Sequence, residues 1–295
     1  MKLAGYGEDR LVRELTQRLA AGRDVRVGIG DDCAVIGRKT DAQWQLLKTD
    51  CIIEGVHFLK NADPKKVGRK ALGRALSDMA AMGGKGWYGL VTLGIPADME
   101  VTWLKGFYKG LSGIADKFGV SIVGGETARS PGAFFCSIAL TGTVDSKHCI
   151  TRSGGQPGDR LYVTGMLGGS IRGKHLTFTP RVEEAQWLAK KFPVHAMMDL
   201  SDGLGSDLPR LAQASNTGFM VYEEKIPLTK GCTTQNALAD GEDYELLFAI
   251  APRDAARLET AWKKRFPKLR LTHIGDLSRN FEPATLKSHG YDHFA

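Results

Sequence analysis

The chain has 295 residues, 42% of them hydrophobic, and a formal net charge of +7. That length suits one large or two ordinary domains with a sizeable core, and 36 glycines clustered between apolar runs, against 11 prolines, read as turns rather than disorder. No apolar stretch approaches a membrane span, MKLAGYGEDR reads as no signal peptide, and five cysteines (Cys33, Cys51, Cys136, Cys149, Cys232) without CxxC spacing read as reduced thiols of a cytoplasmic protein. The excess of positive charge invites a nucleic-acid partner, but much of it sits on helix faces, at Lys65, Lys66, Arg69 and Lys70 and again at Lys263, Lys264, Arg265 and Lys268. A solvated face is the simpler account, and attraction of small anionic substrates the functional one.

In chain order, residues 8–21 place Leu11, Val12, Leu15 and Leu19 on one helical face. Val25, Val27 and Ile29 alternate as a strand and lead into Gly28-Ile29-Gly30-Asp31-Asp32, and Trp44–Asp50 is a second strand. Two strands thus deliver carboxylates to their ends. Asp63-Pro64 predicts a helix start, and the helix runs to about Met82 with Asp78 inside its apolar stripe of Val67, Ala71, Ala75, Met79 and Met82. A carboxylate on a buried face needs a metal or a partner, and Arg74 one turn back is the plain candidate. A strand at Trp87–Ile95, a helix from Asp98 to Phe118, and strands at Val120–Val123 and Phe134–Val144 follow, with Glu126 just after a strand beside Gly124 and Gly125. In alternating α/β chains ligands bind at such junctions.

Residues 145–158 are polar and glycine-rich, so the expected division is 1–148 and 149–295, giving two α/β domains. The second half predicts strands at Arg160–Thr164, Ala196–Leu200, Gly218–Glu223, Tyr244–Ile250 and Leu271–Ile274, and helices over 181–192, 206–214 and after Pro252. Ser77-Asp78 and Ser201-Asp202 are similar dipeptides, one in each half.

The acids gathered at these junctions are Asp31, Asp32, Asp50, Asp78, Glu126, Asp199, Asp202, Asp207, Glu242 and Asp243. Hard oxygen donors without a Cys/His cluster favour Mg²⁺ over zinc, and many of them suggest several ions around a polyphosphate; the bland alternative is that Asp and Gly simply belong in turns. Gly168–His175 has a P-loop core, but His175 stands where Ser or Thr should contribute a hydroxyl. Cys33 takes the third glycine position of a dinucleotide fingerprint.

Taken together, GIGDDCAVI, KTDCIIEGVHF, ALSDMAAMG, IVGGET, ITRSGGQPGDRLYVTG, DLSDGLGSDL, GEDYELLF and the terminal GYDHF resemble the thiamine-monophosphate kinase family. That family shares a superfamily with aminoimidazole ribonucleotide synthetase, selenophosphate synthetase and a hydrogenase-maturation protein. The resemblance implies ATP-dependent phosphorylation of thiamine phosphate to thiamine diphosphate, several Mg²⁺ ions, and a homodimer whose N-terminal domains complete a shared sheet. By motif it implies metal ligands at Asp32, Thr49, Asp50, Asp78, Glu126, Asp199 and Asp202. ATP contacts are implied at Gly125, Glu126, Arg152 and Ser201, and thiamine-phosphate contacts at His57, Glu242 and Tyr291. Asp50, Asp78 and Arg152 would carry catalysis, Tyr108 is an adenine-stacking candidate that no motif fixes, and Asp31 has no assigned role. Two positions depart from the family pattern: Glu126 stands where Asp is frequent, and Lys48 where Ser often precedes the Thr-Asp pair. The segment from Gly168 to Asp199 is also shorter than expected.

A phosphate monoester is already an anionic nucleophile near neutral pH, so a site rich in carboxylates and metals without a catalytic base suits this reaction. The rivals are a ring-closing ligase of the same superfamily, against which GEDYELLF and GYDHF argue, and a non-catalytic basic nucleic-acid-binding protein, which leaves the ordered carboxylates unexplained. Neither nucleic acid nor membrane is an expected partner.

Overall fold

The computed structural model describes residues 6–279 together with Gly290 and Tyr291. The chain forms two compact units: the first holds Asp32–Ile150 and Arg172–Phe192, the second holds the residues through Asp31, Thr151–Ile171 and Pro193 onward. The passage at residue 150 falls inside the polar glycine-rich stretch, but the chain returns to the first unit for residues 172–192, where a helix packs on the central helix of that unit. Among the described residues no helix is long and apolar enough to cross a membrane.

The chain opens with α1 (Glu8–Thr16) and β1 (Val25–Val27) of the second unit. The first helix stops at Thr16 rather than near residue 21, and Leu15 and Leu19 stand exposed. The first unit then runs β2 (Ala34–Ile36), β3 (Gln43–Ile53), α2 (Pro64–Ala81), β4 (Lys85–Pro96), α3 (Val101–Phe118), β5 (Ser121–Ser130) and β6 (Phe135–Asp145), with α4 (Val182–Lys191) added by the returning segment.

Its central element is α2. The Asp63 side chain accepts the Lys65 N–H at 2.9 Å, Pro64 occupies the first turn, and most of the helix is buried. α3 lies against it with main chain near main chain: a Cβ at Gly68 would stand 1.9 Å from the Phe107 carbonyl oxygen, and one at Gly110 would stand 1.8 Å from that of Lys65. Gly119, in the left-handed conformation at φ 69°, ends α3 as its position predicts.

The strands of this unit run in the order β2-β3-β6-β4-β5, antiparallel except for the parallel β4–β5 pair. α2 packs on one face of the sheet, where Leu46, Ile52, Ile138 and Leu140 are buried. The opposite face is bare. Leu47, Tyr88, Leu90 and Val123 are exposed there, around a cavity of about 410 Å³ that Thr49 also lines.

The second unit continues with β7 (Arg160–Thr164), β8 (Val194–Asp199), α5 (Leu204–Ala214), β9 (Gly218–Val221), α6 (Thr234–Ala239), β10 (Leu246–Ile250), α7 (Pro252–Arg265) and β11 (Leu271–Ser278). Its sheet has the order β8-β10-β7-β11-β9, all pairs antiparallel. Alternation sends Leu161, Val163, Met198, Leu247 and Ala249 into one core with Leu204, Leu208 and Leu211 of α5. Tyr162 and Phe248 face the other way, stacked at 5.6 Å, and the Tyr162 hydroxyl donates to Glu259 of α7. The result is the mixed α/β architecture expected from the sequence, with two sheets and seven helices among the described residues.

Candidate active site

Asp50, Asp78 and Glu126 of the first unit lie within regular elements and not at strand ends. Asp50 is inside β3, paired in register with Ile138 of β6. Alternation along β3 puts Lys48 and Asp50 on the face of buried Leu46 and Ile52, towards α2. The Asp50 carboxylate accepts the Cys51 N–H at 2.7 Å and the Arg74 Nε–H at 2.9 Å. Arg74, one turn back from Asp78 on α2, pairs with Asp50 on the neighbouring strand. Asp78 is paired by Lys48, whose ammonium lies 2.9 Å from its Oδ1. Burial disfavours the charge on Lys48, but the neighbouring Asp78 and Asp50 outweigh it and hold the ammonium above the ordinary lysine value. Asp32, 2% exposed just before β2, brings a carboxylate oxygen within 4.8 Å of one from Asp78. Buried carboxylates converging with neither Cys nor His in the set form a donor group that fits Mg²⁺.

Thr49 and Glu126 fall on the other side of this sheet. Thr49 alternates with Asp50 and faces the bare side, 3.3 Å from the Ser137 hydroxyl. β5 does not end at Val123, as the following glycines predict, but runs through both to Ser130, so Glu126 lies within it, opposite Thr92. Gly125 is required by strand packing, since a Cβ there would meet the Val91 carbonyl oxygen at 1.9 Å. Tyr108 is exposed on α3.

His57 closes the turn after β3. Its Nδ1 accepts the Ile53 N–H at 3.1 Å, which leaves the ring hydrogen on Nε2, a donor suited to a phosphate oxygen. Lys70, counted from sequence as part of a solvated face, is fully buried, with its ammonium 2.5 Å from the His57 carbonyl oxygen and 2.8 Å from His175 Nδ1. Lys70 and His175 are 105 positions apart, so nothing local in the sequence signals the pair.

In the second unit Asp199 ends β8 and is buried. Ser201 and Asp202 form the turn before α5. The Ser201 carbonyl accepts the Glu242 N–H at 2.7 Å, and that of Asp202 accepts the Tyr291 N–H at 2.8 Å. Gly290 donates to the Ser206 hydroxyl at 3.0 Å, and a Cβ on it would stand 2.1 Å from the Asp202 carbonyl oxygen. This turn thus gathers Ser201, Asp202, Glu242 and Tyr291. Glu242 and Tyr244 have φ of 57° and 51°, and left-handed backbone at non-glycine residues concentrates at functional sites. Asp292, His293 and Phe294 of the terminal motif, and Met1–Gly5, lie outside the described residues.

Two further acids have structural partners that the sequence did not indicate. Asp31 accepts the backbone N–H of Arg152 at 3.1 and 3.3 Å, while the Ser215 hydroxyl donates to the Arg152 carbonyl at 3.0 Å. Asp207 accepts the Asp202 N–H at 3.0 Å and Arg210 at 3.1 Å, and the same Arg210 nitrogen holds Asp202. The P-loop resemblance ends at the glycines, because the Gly168 N–H is bound by Asp243 and the Gly169 N–H by Asp240, and Ser170–Arg172 is a 3-10 turn.

Residues 30–144 match the N-terminal domain, and residues 141–275 the C-terminal domain, of the AIR synthase related protein family. The thiamine-monophosphate kinase of Escherichia coli K12 is 32% identical over 98% of both chains, and that of Rhodopirellula baltica 39% identical over 81% of this chain and 80% of its own. This chain belongs to the thiamine-monophosphate kinase family. The solved structure of AaThiL complexed with AMPPCP and TMP superposes with a TM-score of 0.85 at 30% identity, covering 100% of this chain and 99% of that one. Kinase-family likeness at this coverage spans both units.

Proposed function

We propose that this chain transfers the γ-phosphoryl group of ATP to thiamine monophosphate, giving thiamine diphosphate and ADP. The geometry that carries this reading is the approach of Asp32 and Asp78, buried carboxylates within 4.8 Å of each other, with Asp50 on the same side of the sheet as α2. Family membership over both units supports it.

In this reading several Mg²⁺ ions are held by Asp32, Thr49, Asp50, Asp78 and Glu126 of the first unit and by Asp199 and Asp202 of the second. When bound, Mg²⁺ offsets the repulsion between two phosphate anions and stabilises charge on the transferring group. Thr49 would contribute through its main chain or towards the bare face, because its side chain leaves the sheet opposite Asp50. Arg152 neutralises phosphate charge, and its backbone is held by Asp31 and Ser215. Gly125, Glu126 and Ser201 serve the nucleotide. His57, with its Nε2 hydrogen, and Glu242 and Tyr291 hold the acceptor. The acceptor phosphate is its own nucleophile, so these residues have to position the reactants and balance charge; no side chain has to remove a proton.

The bare sheet face supports the proposal of a homodimer formed through it. Leu47, Tyr88, Leu90 and Val123 make a contiguous apolar surface next to Thr49. That none of the five cysteines is in a disulfide supports a cytoplasmic location.

Incubation with ATP, Mg²⁺ and, in parallel, thiamine monophosphate, free thiamine and purine-pathway intermediates tests the activity. Thiamine diphosphate and ADP formed only from thiamine monophosphate is the expected result. Turnover of a formylglycinamidine ribonucleotide instead would overturn it.

A further inference from the structure

We infer that Lys48 is a resident cation that stands in for one divalent metal ion, so that this chain binds one ion fewer per protomer than it would with a small neutral residue at position 48. The inference rests on the proposal above that Asp50 and Asp78 are metal ligands.

Lys48 does not project from a mobile loop. It sits in the middle of β3, between buried Leu46 and Asp50 on the α2 face, and its side chain is only 22% exposed. From there its ammonium reaches the Asp78 Oδ1 at 2.9 Å, the distance of a direct charged hydrogen bond. Asp50 is similarly engaged, its two oxygens taking the Cys51 N–H and Arg74. A divalent ion on the Oδ1 side of Asp78 would lie about 4 Å from the ammonium. At that distance a +2 and a +1 charge repel strongly, and a partly buried pair is little screened by solvent. The ammonium and that ion therefore exclude each other. An ammonium tethered to a central strand also needs no free-ion concentration to remain in place.

The test counts Mn²⁺ bound per protomer, by the loss of the free-ion electron paramagnetic resonance signal, with a non-hydrolysable ATP analogue present. The full chain, Lys48→Ser, Lys48→Arg and Asp78→Asn are compared. Lys48→Ser is expected to bind one more Mn²⁺ than the natural chain, and Lys48→Arg the same number as the natural chain. Equal, non-zero counts for the natural chain and Lys48→Ser would overturn the inference while leaving the metal site standing. Counts in the natural chain no higher than in Asp78→Asn would remove the metal site itself and the inference with it. A second measurement needs no variant: acetylation of Lys48 in the natural chain, read by mass spectrometry, is expected to be unchanged by Mn²⁺. A several-fold rise on adding Mn²⁺ would mean that the ion displaces the ammonium, and the inference would fall.

Discussion

Ser77-Asp78 and Ser201-Asp202 are the same dipeptide in two units, and their surroundings differ in kind. Asp78 is inside a helix, faces a strand, and meets Lys48, while Asp50 beside it on that strand meets Arg74. Each acid has a basic side chain directed at it from the neighbouring element. Asp202 is in a turn, and a single Arg210 nitrogen reaches both it and Asp207. Burial first, then the Asp202 charge, push the Asp207 carboxyl well above the usual carboxylate range, against the pull of Arg210 and of the Asp202 N–H. The contrast teaches that the dipeptide does not decide the electrostatics. What decides it is which cations the surrounding elements direct at each acid and how deeply that acid is buried.

The largest expected effect concerns the two acids between β3 and α2. Asp78→Asn and Asp50→Asn should each lower kcat by about 10²–10³-fold, with the protein still folded by thermal melting. Near-normal turnover in both would remove these acids from the site. The shared arginine comes next. Arg210→Ala leaves two acids facing each other and should lower unfolding free energy in urea by about 3 kcal/mol, and adding Asp207→Asn should restore at least half of that. No loss in the single variant would show that Arg210 is not what compensates this turn. A smaller effect is expected on the bare face of the first sheet, which has no counterpart in the second unit, where both Leu161 and Tyr162 of neighbouring positions are buried. Leu90→Asp should weaken self-association by about 30-fold, or about 2 kcal/mol, by sedimentation; unchanged association would move the interface elsewhere. Least visible is a reactivity difference on the covered face. Burial, with the Cys51 and Asp50 charges, pushes the Cys136 thiol up to about 12, so little thiolate exists at pH 8. Native alkylation at that pH should spare Cys136 until the protein is unfolded, and modification at the rate of an exposed thiol would mean that the face opens.

Much of this was legible in the sequence because it is local. Asp63-Pro64 placed the start of α2, Gly119 ended α3, and the motif order carried the family and its two-domain fold. What was not legible depends on separation or parity. Asp50 and Glu126 were expected at strand ends because glycines or a change of polarity follow them, but pairing with β6 and β4 carries both strands further. Lys48 reaches Asp78 from β3, thirty positions earlier in the chain, and no local spacing signals that pair. Asp31 could be given no role until Arg152 stood beside it, 121 positions away. The short α6 shows too few turns for a periodic signal, and its Thr233–Asn236 capping box does not have the Glu or Gln that usually announces one.

Where α2 and α3 meet at Gly68 and Gly110, the spacing of the two helices is set by peptide groups, which have no rotamers to exchange. Asp78 is ten residues beyond Gly68, about 15 Å along the axis. Its carboxylate is therefore carried at the end of a stiff rod whose other end is seated against α3, and its position inherits the small tolerance of that seat. A single methyl group introduced at Gly68 would move the rod before it unfolded anything. Positional accuracy at the acidic cluster is thus a property of two residues that have no chemistry of their own.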